Sequence, residues 1–171
     1  MLGGNRSGKS AFAEHLLADE PTVDYIATSA RSGDRDWEDR VRRHQQRRPS
    51  TWRTIETADV ARELRVDSTP ALIDSVTAWL TRTMDDCRYW ADELAETSAR
   101  DLDDRLDEFD QAWEATTRRV AAVSDEVGSG VIAPTVAGRR FADRLGVLNQ
   151  RLAATADEVY LVTAGIAQRL K

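Results

Sequence analysis

Apolar residues along this chain fall into short dense runs separated by longer stretches with helical spacing. In "SAFAEHLLADE", Phe12, Leu16 and Leu17 share one helical face, and Pro21 ends the helix. "VDYIATS" is a brief apolar run that finishes in small polar residues, the pattern of a buried strand. "DRDWEDRVRRHQQRRP" predicts a charged helix: Asp34 or Asp36 can cap it, Trp37 and Val41 stand at i, i+4, and Pro49 stops it. "TWRTIET" predicts a strand and "ADVARELRV" a short helix. "PALIDSV" predicts a strand with an acid at its C-terminal end. From about Thr77 to Thr117 an amphipathic region follows. Trp90, Leu94, Leu102, Leu106, Phe109, Trp113 and Val120 recur there at spacings near three, four or twice four, with acids on the opposite face. Ser98 with Asp101 is a candidate capping box that would split the region in two. "VAAVSDEVGSG" predicts a strand entering a glycine-rich turn, "AGRRFADRLGVLNQRLAATA" a helix, and "DEVYLVTAG" a last strand.

Strands that alternate with helices in this way predict an α/β fold, a parallel sheet covered on both faces and so three layers deep. No repeat, low-complexity tract or linker interrupts the pattern, so a single domain over residues 1–171 is expected.

Composition narrows the function. Net charge is −6 and the isoelectric point about 5.0, which disfavours non-specific nucleic-acid binding as the main task. Mean hydropathy is −0.53 and no apolar run has the length of a membrane span. No basic stretch followed by an apolar run marks a secretory signal at the start. The single Cys87 excludes an intrachain disulfide and a cysteine-built zinc site and fits a reducing cytoplasm. All but two of the 24 basic residues are arginine, the lysines being Lys9 and Lys171.

Lys9 stands in a motif. "GGNRSGKS" fits G-x-x-x-x-G-K-[ST] through Gly3, Gly8, Lys9 and Ser10. Glycines let the backbone curl so that N–H groups point at phosphate oxygens, and the helix beginning near Lys9 aims its positive end at the same place. Lys9 reaches the outer phosphates, and the Ser10 hydroxyl can serve Mg²⁺. A chain that otherwise uses arginine places its compact ammonium here. Asp74, at the end of "ALID", is the candidate acid for orienting Mg²⁺ or its waters; the competing reading is an ordinary turn or cap residue. Only Met1 and Leu2 precede the loop, so its supporting strand is nearly missing, and a true start some codons upstream of Met1 is expected.

"RVRRHQQRR" is the second unusual stretch. On a helix, Arg40, Arg47 and Arg48 lie at i−4, i+3 and i+4 from His44. Three cations would disfavour the protonated imidazole, and the neutral ring is the form that attacks phosphorus. The alternative is a solvated basic helix face. A nucleic-acid patch would call for interleaved aromatics, which are lacking. His15, with no local partner suggesting chemistry, reads as structural.

Together, "GGNRSGKS", "YIATS", "RRHQQRRPSTWRTIE", "ALIDSVTAWLT", "SDEVGSGV" and "LNQRLAATADEVYLVTAGIAQRLK" resemble the bifunctional adenosylcobinamide kinase/adenosylcobinamide-phosphate guanylyltransferase family over nearly the whole chain. The resemblance implies a P-loop NTPase fold of RecA-like type, a homotrimer, and a place in cobalamin biosynthesis. It implies phosphorylation of adenosylcobinamide with ATP or GTP, then transfer of GMP from GTP through a GMP-histidine intermediate, giving adenosylcobinamide-GDP. By motif the nucleophile falls on His44. Nucleotide contacts fall on Gly3, Gly4, Asn5, Arg6, Ser7, Gly8, Lys9 and Ser10, on Ala27, Thr28 and Ser29, on Gln45, Gln46, Arg47 and Arg48, on Glu56, and on Asp74. Lys9, the loop amides and Mg²⁺, held by Ser10 and Asp74, would stabilise the leaving charge. Two departures stand away from this chemistry: "IAPT" where the family has Val-Pro-Glu-Asn, and Arg82 where members carry Asn. Two other readings compete: a different P-loop kinase for a small hydroxyl substrate, and a non-catalytic nucleotide-binding relic.

Overall fold

The structure is a computed structural model that describes residues 1–29, 48–66, 68–91 and 95–171. Seven strands form one sheet: β1 (Leu2–Gly3), β2 (Asp24–Ala27), β3 (Arg53–Glu56), β4 (Ala71–Asp74), β5 (Val120–Asp125), β6 (Tyr160–Thr163) and β7 (Ile166–Arg169), in the order β3-β2-β4-β5-β1-β6-β7. All neighbours are parallel except β6 and β7, which are antiparallel. The described helices are α1 (Lys9–Leu16), α2 (Val60–Val66), α3 (Val76–Asp86), α4 (Glu96–Ala115) and α5 (Val136–Thr155). The helix expected between Asp34 and Pro49 falls almost wholly outside the described residues.

The inner strands β2, β4 and β5 are buried on both faces, as a doubly covered parallel sheet requires, whereas the edge strands β3 and β7 are mostly exposed. Successive residues in β2 and β4 serve opposite layers. Tyr25 and Leu72 pack with Ala13 of α1, with Leu17 just after it and with Trp52. Ile26 and Ile73 pack with Val60 and Leu64 of α2, Trp79, Leu80 and Met84 of α3, Phe109 of α4, and Leu145 and Leu148 of α5. Trp79 meets Phe109 edge-on at 4.8 Å between ring centroids, a favoured aromatic geometry.

Two sequence expectations change. The long amphipathic region breaks after Asp86, where α3 ends, and Arg88 turns the chain with φ 54°; Leu94 lies outside the described residues. Ser98 and Asp101 lie inside α4, which starts after Ala95 with no side-chain cap, so they form no capping box. Val120, grouped with the helical face by spacing, opens β5, and Trp90 lies after α3 rather than on a helix. The hairpin partner β7 is an addition. It forms because Ala164 (φ 52°) and Gly165 (φ 80°) take the left-handed conformations of a tight two-residue hairpin turn.

A buried ion pair ties the N-terminal ends of the strands together. Asp24, at the start of β2, accepts from Arg118 Nη2 at 2.7 Å and from both Nε and Nη2 of Arg53 at 2.8 and 2.9 Å. Arg118 also donates to the carbonyls of Thr69 (2.6 Å) and Glu63 (2.5 Å). Beside this edge, β1 is only two residues long. The Met1 ammonium donates to the Ala122 carbonyl at 2.6 Å, and a cavity of about 610 Å³ opens next to it.

Candidate active site at the C-terminal edge of the sheet

Parallel strands all end on one side, so their C-terminal residues share an edge. Here that edge carries Gly3 (β1), Ala27 (β2), Glu56 (β3), Asp74 (β4) and Asp125 (β5). Register aligns Ala27 with both Glu56 and Asp74, and Gly3 with Asp125.

The loop Gly3–Ser10 leaves the C-terminal end of β1, between β5 and β6. A Cβ on Gly3 would lie 2.5 Å from the Val162 carbonyl oxygen and 2.6 Å from Ser7 Oγ, so only glycine fits. Gly8 adopts φ 97° at the N-cap of α1 and supplies no side-chain cap, which leaves first-turn N–H groups available to an anion. The turn of the β6–β7 hairpin braces the loop: Gly165 N–H donates to the Ser7 carbonyl at 2.8 Å. Ser7 Oγ is buried and has no hydrogen-bond partner, a polar group awaiting one inside the loop. Lys9 is buried, and its ammonium donates to the Gly4 carbonyl at 3.0 Å and pairs with Asp125 Oδ1 at 2.6 Å. Ser10 follows on α1, half-buried.

Asp74 stands on β4, two strands from β1, or roughly 10 Å at ordinary inter-strand spacing. Its carboxylate accepts a hydrogen bond from the Tyr25 hydroxyl. Burial, then the Asp74 charge and this hydrogen bond, push the Tyr25 phenol well above its ordinary pKa, so Tyr25 is the donor. The Arg48 guanidinium lies 3.5 Å from the centroid of the Tyr25 ring, a cation–π contact. Arg48, Tyr25 and Asp74 thus form a chain of contacts across the β2–β4 end of the edge.

Among the other candidates, Thr28 is fully buried. Its hydroxyl donates to the Ser75 carbonyl at 2.6 Å and accepts from Ser75 N–H at 3.0 Å, which locks the ends of β2 and β4 together. Ser75 in turn caps α3 by accepting from Ala78 N–H. Ser29 is half-buried and Glu56 exposed. Glu56 is four strands from the loop, on the same strand as Thr54, whose Oγ1 accepts from Arg48 Nη1 at 3.5 Å. Asn5, Arg6 and Gly4 line the exposed rim of the loop. His44, Gln45, Gln46 and Arg47 lie outside the described residues. His15 is exposed on α1 and packs into neither core cluster.

Sequence reasoning passed over Asp125 and Tyr25. Asp125 carried the same signal as Asp74, an acid closing an apolar strand, in "VAAVSD". Its peptide is gripped from two sides. Its N–H donates to Thr77 Oγ1 at 2.7 Å, and its carbonyl accepts from Asn149 Nδ2 at 3.0 Å. Asn149 Oδ1 accepts from Ser124 Oγ at 2.6 Å. The adjacent Glu126 turns away and accepts from the amides of Gly128 and Ser129. Tyr25 gave no signal, because an aromatic in a buried strand reads as core.

Such an edge, with a glycine loop entering a helix and acids on neighbouring strands, suits phosphate binding and transfer. Known proteins agree. In fold, the chain is similar to a solved structure titled as a prototypical ATPase from the type III secretion system of pathogenic bacteria. The TM-score is 0.53 at 11% identity, and the match covers 98% of this chain and 55% of that one. In sequence it is 36% identical over 186 residues to the bifunctional adenosylcobalamin biosynthesis protein CobU of Salmonella typhimurium, covering 100% of this chain and 98% of that one. It is 35% identical to CobU of Escherichia coli and to the bifunctional adenosylcobalamin biosynthesis protein CobP of Pseudomonas aeruginosa, again over 100% of its own length and 98% and 95% of theirs. With its loop, strand-end acids and whole-length match over residues 1–170, the chain belongs to the CobU family, the cobinamide kinase / cobinamide phosphate guanyltransferases.

Proposed function

We propose that this protein phosphorylates adenosylcobinamide with ATP or GTP and then transfers GMP from GTP to that phosphate, giving adenosylcobinamide-GDP in cobalamin biosynthesis. The observation that carries the reading is the loop itself: Lys9 buried at its centre, Ser7 Oγ unpartnered, and α1 uncapped at the C-terminal edge of a parallel sheet. Whole-length family membership supplies the reaction.

In the kinase half-reaction, the amides of Gly4–Ser10 and the Lys9 ammonium hold the triphosphate. The corrinoid hydroxyl oxygen bonds to the γ-phosphorus, the bond to the nucleoside diphosphate breaks, and the hydroxyl proton leaves to a base. In the second half-reaction, the neutral imidazole of His44 bonds to the α-phosphorus of GTP and pyrophosphate departs. A phosphate oxygen of the phosphorylated corrinoid then displaces His44 and takes GMP. Arg48 would serve this half: it follows directly on His44, Gln45, Gln46 and Arg47 in the sequence, and its contact with the Tyr25 ring supports the reading. Ala27, Thr28, Ser29 and Glu56 complete the nucleotide side of that edge.

The residues fit Mg²⁺. The Ser10 hydroxyl and Asp74 carboxylate are hard oxygen donors, and no group of three or more His, Cys, Asp or Glu builds an all-protein cage among the described residues. Mg²⁺ commonly takes one or two such oxygens and completes its shell with phosphates and water. When bound it would neutralise phosphate charge. A homotrimer, a cytoplasmic location and a single nucleotide-binding domain over residues 1–171 belong to the same reading, without nucleic-acid partners. Among the described residues no helix is long and apolar enough to cross a membrane.

The test is intact-mass measurement of the protein after incubation with GTP alone. A covalent GMP adduct that is lost in acid, and is absent from His44→Ala, is the expected result. No adduct on the folded wild-type chain would remove the guanylyltransferase half, leaving a kinase.

A further inference from the structure

We propose that Asp125 holds Lys9 in a resting position and competes with incoming phosphates for its ammonium. It would thereby make the loop discriminate against nucleotide that carries no magnesium. The inference rests on the nucleotide reading of the loop and concerns a residue that reading does not use.

Lys9 Nζ has three protons to give. One goes to the Gly4 carbonyl at 3.0 Å and one to Asp125 Oδ1 at 2.6 Å. The lysine side chain is only 8% exposed, so the pair is poorly screened on that side, whereas the Asp125 side chain is 33% exposed. Asp125 cannot swing aside with its backbone, because Thr77 and Asn149 hold its N–H and its carbonyl. Gly3 is its register partner on the adjacent strand, which fixes the carboxylate beside the start of the loop. Glu126, the next acid, is spent on the Gly128 and Ser129 amides and does not share this task. A triphosphate entering the loop therefore meets an ammonium already paired with a carboxylate. The neutral donors, Ser7 Oγ and the first-turn amides, carry no such conflict. Magnesium bound to the triphosphate lowers its charge and so weakens its repulsion from Asp125.

The experiment measures equilibrium binding of GTP to the full chain, in excess chelator and in excess Mg²⁺, for wild type, Asp125→Asn and Asp125→Ser. Removing one like charge near the phosphates is expected to tighten metal-free binding by about fivefold or more. Binding with Mg²⁺ should change less, so the preference for magnesium-bound nucleotide falls. A purely structural role would shift both constants together. Unchanged or weaker metal-free binding in Asp125→Asn, with an unfolding midpoint like that of wild type, would overturn the proposal; should that variant fail to fold, Asp125→Ser reads the same ratio. Wild-type protein that binds GTP under neither condition would instead sink the nucleotide reading itself, and this proposal with it.

Discussion

Replacing Arg118 is the sharpest test of what keeps the strands aligned. Its guanidinium is buried, with a side chain 1% exposed, against Asp24 at 2%. Arg118→Ala removes that charge partner and also strips the donors from the Thr69 and Glu63 carbonyls. Breaking a buried pair from one side costs about 3–5 kcal/mol, and the lower end is expected here because Asp24 keeps its two hydrogen bonds from Arg53. Against a typical total of about 5–15 kcal/mol, that is a large share of the fold. Arg53 also contacts Asp24, but its side chain is 61% exposed, so water can replace much of what it supplies and Arg53→Ala should cost no more than about 1 kcal/mol. The assay is urea unfolding at pH 7, with stability read from the shift in midpoint at constant slope. A third variant isolates the charge. Arg118→Met combined with Asp24→Asn leaves no stranded carboxylate and should be more stable than Arg118→Met alone. The reasoning fails if Arg118→Ala is no more harmful than Arg53→Ala, or if the double variant is no better than the single one. Damage here should reach function, since β2, β4 and β5 carry Ala27, Asp74 and Asp125 at their other ends.

Two further outcomes follow from particular contacts. Tyr25→Phe keeps the ring beneath Arg48 but removes the hydroxyl from Asp74. It should cost about 1 kcal/mol in stability and raise the half-saturating Mg²⁺ concentration of phosphoryl transfer, and an unchanged magnesium requirement would show that Tyr25 does not position Asp74. Gly3→Ala should lower the thermal midpoint, at about 1–3 kcal/mol, because its Cβ meets the Val162 backbone at 2.5 Å, whereas Gly4→Ala, with nothing within 4 Å, should be near neutral. Equal effects of the two would refute the close approach.

The periodicity of apolar residues by itself determined the alternation of strands and helices, and hence a parallel sheet with both faces covered. That worked because 3.6-residue and two-residue spacings, caps and prolines act between near neighbours in the chain. The phosphate loop was equally legible, since its glycines, lysine and serine are contiguous. So was Asp74, an acid closing a buried strand. Tertiary structure alone decided the rest. Strand order is set by packing among residues far apart in sequence, and it placed β5 between β4 and β1. That order makes Asp125 the partner of Lys9 and moves Asp74 one strand further out. The pairing of Asp24 with Arg118 spans 94 positions, and in the sequence both look like ordinary surface charges. The brace from Gly165 to Ser7 joins the two ends of the chain. Local pattern shows which residues will be buried, but only the assembled sheet shows which of them meet.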